Sequence, residues 1–412
     1  MDSQLTETVD IAIIGGGLAG LSLAARLAVP RFQHLRIVVL EPRTRYVRDR
    51  TWCYWADSRT KNNAKISGSK VRHQPHPFQT SVAMRWPSWE VMCGEVNTLS
   101  YETVTKTGDH CYEMIPADRF YDDAERLINS GAHVKLIKGV TVVDAISQSQ
   151  HVDLETNIGK IRAGLVFDSR PPHALSKAAW VQRFQGFELE AEAPIFDVNC
   201  ATLMDFSITT DAESKAGRVH FIYVLPLSDR RALVEDTWFA PVEDDCDDVD
   251  YQAQIKAYLK RRFGLERYEI LHREQGALPM DPELRPAKSS GRIIKIGAGG
   301  GMARASSGYA FFETQRACDA IAAKLSSQKS LPTEFHLPRW RSHVSYWMDA
   351  VFLRVLKEYP SLAPKIFFDL FAKVPPDALA RFLSGVATPL DVVRVVSACP
   401  KIPFLKAAFF PK

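Results

Sequence analysis

The sequence predicts an α/β protein: a parallel sheet flanked by helices, interrupted by an antiparallel sheet and followed by a helical tail. Three observations carry this. A strand, a glycine-rich turn, a helix and a second strand follow one another between residues 9 and 41. A further strand–glycine–helix pattern lies at residues 293–324. Between the two, short strand-like runs alternate with turns.

Val9-Asp10-Ile11-Ala12-Ile13-Ile14 is apolar and rich in β-branched side chains, the pattern of a parallel strand buried on both faces. Gly15-Gly16-Gly17-Leu18-Ala19-Gly20 follows, then a helical run to Leu27, then a strand ending in Glu41. Each part has a physical task in a dinucleotide site. Gly15 permits the tight turn, Gly17 lets the backbone approach a pyrophosphate, and Gly20 lets the helix pack on the strand. The amides at the helix start, Leu18 and Ala19 included, and the positive end of the helix dipole attract phosphate. Glu41 stands where a carboxylate accepts hydrogen bonds from ribose hydroxyls, and its charge argues against a 2′-phosphate and hence NADP.

Further along, residues 60–76 are polar and read as loop. Asp118 is placed to cap a helix after Pro116. Strands are expected at 134–137, 140–143 and 165–167, and an antiparallel sheet from runs at 187–189, 203–208, 219–225 and 232–239. The acidic run Asp244-Asp245-Cys246-Asp247-Asp248 reads as a solvated segment. The strand at 293–297 runs into Ala298-Gly299-Gly300-Gly301, and a helix is expected over 312–324. The division that follows is a discontinuous cofactor domain (1–60, 105–172, 275–328), a substrate domain (61–104, 173–274) and a helical region (329–412). Beyond Leu331 eleven basic residues accompany six acidic ones among many aromatics, a composition suited to a membrane surface or to internal packing.

Composition narrows the function. Of 412 residues, 46% are apolar and 24% charged, which excludes a disordered or fibrous chain. A net charge of +4 gives no concentrated basic face for nucleic acid. No apolar run reaches the roughly 20 residues of a membrane-spanning helix. Met1-Asp2-Ser3-Gln4 shows no secretory signal, and the seven cysteines form no CxxC pair, so a cytoplasmic chain without a metal site is expected.

Several blocks resemble the carotenoid lycopene cyclases, the bacterial β-cyclases most of all. They are Asp49-Arg50-Thr51-Trp52-Cys53-Tyr54-Trp55, Tyr112-Glu113-Met114-Ile115 with Arg119-Phe120, Asp168-Ser169-Arg170-Pro171 and Met204-Asp205-Phe206. Tyr223-Val224-Leu225-Pro226-Leu227, Glu235-Asp236-Thr237, Glu274-Gln275-Gly276-Ala277-Leu278-Pro279-Met280 and Gly308-Tyr309-Ala310-Phe311 complete the set. The resemblance implies a Rossmann-like FAD-binding domain of the glutathione-reductase/hydroxylase type. It also implies ring closure of lycopene to β-carotene without net oxidation, with reduced FAD beside a carbocation and NAD(P)H as electron donor. It implies a carboxyl acid/base at Glu235 and Asp236, which face opposite ways on one strand, so that only one need reach the polyene. Glu235 is the favoured one; a structural pairing with Arg230 or Arg231 is its alternative. Gly297, Gly299, Gly300, Gly301 and Met302 are implied on the flavin side, and Arg50 and Arg119 at the diphosphate or the reduced ring. Trp52, Tyr54 and Trp55 are implied along the path of the cation. A lipophilic substrate implies peripheral contact with the inner membrane. Two other readings share this fold: a redox flavoenzyme (prenyl reductase or monooxygenase) and a flavin-free prenyl-lipid carrier.

Overall fold

The computed structural model describes residues 7–57, 76–94, 101–172, 174–177, 179–208, 216–283, 291–328, 330–338 and 340–410. Of the polar stretch read as loop, all but His76 lies outside them.

β1 (Glu7–Ile14), α1 (Leu18–Leu27) and β2 (Ile37–Glu41) form the opening unit. Ile11, Ala12, Ile13 and Ile14 are all buried, because both faces of β1 are covered. β3 (Thr51–Asp57), β4 (Met84–Gly94) and β5 (Tyr101–Pro116) depart to a second sheet. α2 (Ala117–Asn129), β6 (Val134–Lys138), β7 (Val142–Ser147), β8 (Val152–Thr156) and β9 (Gly159–Asp168) return to the first. Its order is β6-β2-β1-β9-β8-β7, parallel as far as β9 and antiparallel beyond. One face packs Ile11, Ile13, Leu165 and Phe167 against α1 and α2. The other packs Val38, Leu40 and Val166 against Val142, Val152 and Leu154 of the β7–β8 ribbon. Asp118, expected as a cap, lies inside the first turn of α2 instead: Pro116 is the N-cap, and the Asp118 carboxylate accepts from the Arg119 amide at 2.9 Å. A negative charge there still suits the helix dipole.

β10 (Trp180–Ala191), β11 (Cys200–Asp205), β12 (Val219–Pro226), β13 (Arg231–Pro241), α3 (Tyr251–Phe263) and β14 (Tyr268–Met280) come next. The second sheet has the order β14-β10-β13-β12-β11-β4-β5-β3. It is antiparallel as expected except at β11–β4, which run parallel. No hairpin joins those two strands, so no turn dictates their direction. Sheet membership also differs from the division read in the sequence: residues 51–57, 105–116 and 275–280, which that division gives to the cofactor domain, lie in β3, β5 and β14 of this sheet. β15 (Ile293–Lys295) then pairs with the end of β9, and α4 (Phe311–Ser326) lies against α1.

The tail contains α5 (His343–Glu358), α6 (Ala363–Lys373), α7 (Pro376–Leu383), α8 (Pro389–Ala398) and α9 (Lys401–Phe409). These helices pack Val351, Ile366, Phe367 and Leu379 onto one face of the large sheet, against Trp55, Trp89, Phe221 and Phe239. Each large apolar side chain so buried contributes about 1.5–3 kcal/mol. The opposite face carries Ile222, Val224 and Val234 against Ile255, Tyr258 and Leu259 of α3. Strand alternation therefore sorts β13. Leu233 and Phe239 pack toward the tail and Val234 toward α3, so Glu235 and Asp236 fall on opposite faces.

Candidate active site

The opening turn is shaped for an anion. Gly15 has φ +92°, and a Cβ there would stand 2.5 Å from the Ser169 hydroxyl. A Cβ at Gly20 would fall 1.9 Å from the Gly15 carbonyl oxygen, so helix and strand come this close only because residue 20 is glycine. A Cβ at Gly17 would meet nothing within 4 Å. The first amide bonded back along α1 is that of Leu21, to the Gly17 carbonyl at 3.0 Å. The amides of Leu18, Ala19 and Gly20 thus lack helical acceptors. α1 has no side-chain cap and no acid in its first turn, which leaves these donors for a ligand's phosphates. The residues present fit a dinucleotide diphosphate.

Glu41 sits at the end of β2 as expected, but its carboxylate is enclosed. It accepts from the Gly16 amide at 2.6 Å, the Arg43 amide at 2.9 Å and the Arg43 guanidinium at 2.7 Å. Burial opposes its ionisation, yet these bonds and the Arg43 charge outweigh burial and hold its pKa below the ordinary value. Arg43 lies over the stacked pair Tyr46 and Tyr121. These three residues carry no cofactor motif, and sequence reasoning missed them.

The second glycine turn differs from expectation. The amides of Gly300, Gly301 and Met302 donate inside the turn, to the carbonyls of Gly297, Ala298 and Gly297, and are committed there rather than presented to a ligand. Gly297 (φ +66°) and Gly299 fit the backbone close against residues 169–172. Arg50 is exposed, pairs with Asp49 at 3.0 Å, and lines the cavity described next. Arg119 is exposed on α2 and is not among the lining residues.

A cavity of about 510 Å³ lies between the large sheet, the tail helices and the loops around residues 49–52 and 304–310. That volume suits a sizeable apolar ligand. Trp52, Trp55, Phe184, Phe221 and Phe239 contribute to its wall. Tyr54, expected with the two tryptophans, points elsewhere and hydrogen-bonds Glu113 at 2.9 Å. A hydroxyl chain crosses the wall: Tyr223 donates to Tyr112 at 3.0 Å, and Tyr112 and Tyr309 are 3.2 Å apart. Burial pushes the pKa values of all three phenols up, so they stay neutral.

Glu235 is a carboxyl on this wall. Burial, then the charge of Glu274 and a hydrogen bond with it, raise its pKa well above the ordinary value and favour its protonated form. Neither arginine of the alternative reading holds it. Arg231 pairs with Glu188, and Arg230 donates to the Glu192 carbonyl oxygen. Asp236 lies on the opposite face, 2.6 Å from His220 Nε2, and does not line the cavity. Only Glu235 reaches the cavity, as expected for neighbours that face opposite ways on one strand, and the naming of Asp236 as an acid/base candidate is corrected. The residue beside it, Glu274, comes from β14. Gly186 within a strand run was the signal that could have found it, since such a glycine marks a close approach.

The cavity opens among α5, α8 and α9. Trp347, Val396, Leu405 and Phe409 both line it and are exposed. No helix among the described residues is long and apolar enough to cross a membrane, and none of their side chains form a metal-binding cluster. The acidic run is partly neutralised by Arg218, which bridges Asp244 and Asp248.

The family model described as "Lycopene cyclase protein" matches residues 10–409. The "Lycopene beta-cyclase" of Pantoea ananas is 25% identical over 421 residues, covering 97% of this chain and 96% of that one. Among solved structures, a geranylgeranyl bacteriochlorophyll reductase-like protein from Thermoplasma acidophilum superposes with a TM-score of 0.59 at 12% identity, covering 96% of each chain. Halogenase PltM, solved with phloroglucinol and FAD, gives 0.55 at 11% identity, covering 90% of this chain and 78% of that one. Likeness at such identity concerns the fold, which is that of FAD-dependent enzymes.

Proposed function

The chain belongs to the lycopene cyclase family, and from that premise we propose that it is a lycopene β-cyclase, closing ψ-ends of lycopene into β-ionone rings by way of γ-carotene without net oxidation. Glu235 carries the reading: a protonated carboxyl on the wall of a largely apolar cavity. Its proton adds to the terminal double bond, forming a C–H bond and a tertiary cation. An internal double bond attacks the cation and forms the ring C–C bond. The Glu235 carboxylate then takes a ring proton, which restores the acid and leaves the ring double bond. Reduced FAD, seated at the opening turn and recharged by NAD(P)H without stoichiometric consumption, would supply negative charge beside the cation. Trp52 and Trp55 line the same cavity, where their π-electrons would favour a cation. The α1 amides would hold the diphosphate, with Glu41 acting through Arg43 and the turn rather than through an open carboxylate. Arg50 is a basic group that reaches the cavity from the loop before β3, as Arg304 does from the loop after the second glycine turn.

Leu405 and Phe409 are exposed where they line the cavity; Ile402 of the same helix, α9, and Phe410 at its end are exposed too, with Lys401 and Lys406 beside them in the chain. We place this rim on the inner membrane, where a polyene is dissolved and where basic and apolar side chains both find partners. Flotation with anionic lipid vesicles tests it; a protein that stays at the bottom of the gradient removes this placement.

Expression in a lycopene-accumulating bacterium tests the reaction. Red pigment is expected to turn orange-yellow, and Glu235→Ala to leave it red. Unchanged lycopene beside folded, flavin-loaded protein would refute the assignment, and NAD(P)H consumed mole for mole with product would point to a redox flavoenzyme.

A further inference from the structure

Resting on that reading, we propose that Glu274 is the positioning residue of the reactive acid: it shares one hydrogen-bonded proton with Glu235 across Gly186 and is itself held by Thr51. Gly186 on β10 is the register partner of Glu235 on one side and of Glu274 on the other. The two glutamates stand two strands apart, about 10 Å between backbones, and their side chains meet over the residue that has none. A Cβ at position 186 would lie 2.7 Å from Glu235 Cγ and 3.3 Å from Glu274 Cγ. Thr51 Oγ1 donates to Glu274 Oε2 at 2.9 Å. Thr51 lies on β3, and β3 and β14 are the two ends of the strand order, so this bond joins opposite edges of the curled sheet beside the cavity. Glu274 is only 4% exposed and is not among the lining residues, so it acts through Glu235.

Two carboxyl groups in contact cannot both ionise readily, so the pair retains one proton at pH values where a lone carboxyl would have lost it. Transfer of that proton to the alkene leaves two carboxylates, and the second negative charge appears together with the cation that offsets it. Return of the ring proton restores the pair, so charge and protons balance over the cycle. The neighbouring titratable groups do not supply this effect. From β3, β5 and β12, Cys53, Tyr112 and Tyr223 are held neutral by burial. One rung along the same face, Glu188 is neutralised by Arg48 and Arg231, and His272 stands opposite it. Arg50, next to Thr51, is paired with Asp49.

The test uses the purified, flavin-loaded protein and its Glu274→Gln, Glu274→Ala and Glu235→Gln variants. Infrared spectra across pH read the carboxylic-acid carbonyl band, and lycopene conversion in liposomes reads the rate. The band is expected to persist above neutral pH in the wild type and to be absent in Glu235→Gln. In Glu274→Gln it titrates roughly one pH unit or more lower, and the alkaline limb of the rate moves with it at unchanged KM. A band and limb that stay put in folded, flavin-loaded Glu274→Gln overturn the pairing. A band that moves in a protein that never converts lycopene upholds the pairing and overturns the function on which it rests. Glu274→Ala adds the loss of bulk; should it fail to bind flavin, the near-isosteric glutamine variant decides alone.

Discussion

Glu235 and Asp236 are neighbours on β13, both buried, yet they occupy different chemical worlds. Glu235 faces the cavity and meets a second carboxyl. Asp236 faces the other way and meets His220, whose ring stacks on Trp238 with centroids 3.8 Å apart. Burial alone does not make a reactive acid; the partner decides. A like-charged neighbour keeps a proton on the group, whereas an imidazole partner turns a buried carboxyl into a structural tie.

The largest expected effect is on turnover. Glu235→Gln should slow cyclisation by roughly 100-fold or more, the usual weight of a general acid, with flavin content unchanged. Asp236→Asn should keep its rate per folded molecule within a few-fold, measured as lycopene converted per bound flavin; an inactive but folded Asp236→Asn would break the contrast between the two faces. Second in size, removing one member of a buried pair should make Asp236→Asn less stable by about 3 kcal/mol in denaturant unfolding. Smaller again, Gly186→Ala should cost about 1–3 kcal/mol of stability and part of the activity, because its methyl must push Glu235 from Glu274. An unaltered rate there would show that the two side chains need not meet.

The smallest effect is the pH slope of stability. The Glu235 pKa is raised in the folded protein, so its contribution is fully present below the unfolded carboxyl pKa and is lost as pH rises through the folded one. Glu235→Gln removes that loss. Its melting temperature should gain on the wild type as pH rises above about 4.5. Parallel curves for the two proteins would mean that Glu235 is ionised when folded.

Local patterns were legible in the sequence and distant partnerships were not. The unit of residues 9–41 could be read because its glycines, helix and terminal acid act on their own neighbours. The opposed directions of Glu235 and Asp236 followed from the two-residue period of a strand. Glu274 could not be paired with Glu235 that way, because their meeting depends on the register of three strands. The parallel β11–β4 contact is equally non-local. Arg43 closing over Glu41, and the Gly300 to Met302 amides turned inward, depend on side-chain and turn geometry that composition does not encode.

The account stands or falls on a proton from a side chain starting the reaction. Lycopene converted in D2O by the reduced, flavin-loaded protein, and analysed by mass spectrometry at the monocyclic stage, measures this directly. The product should carry one deuterium, delivered by exchanged Glu235 and retained when a different hydrogen leaves the ring. Monocyclic product with no deuterium would contradict it.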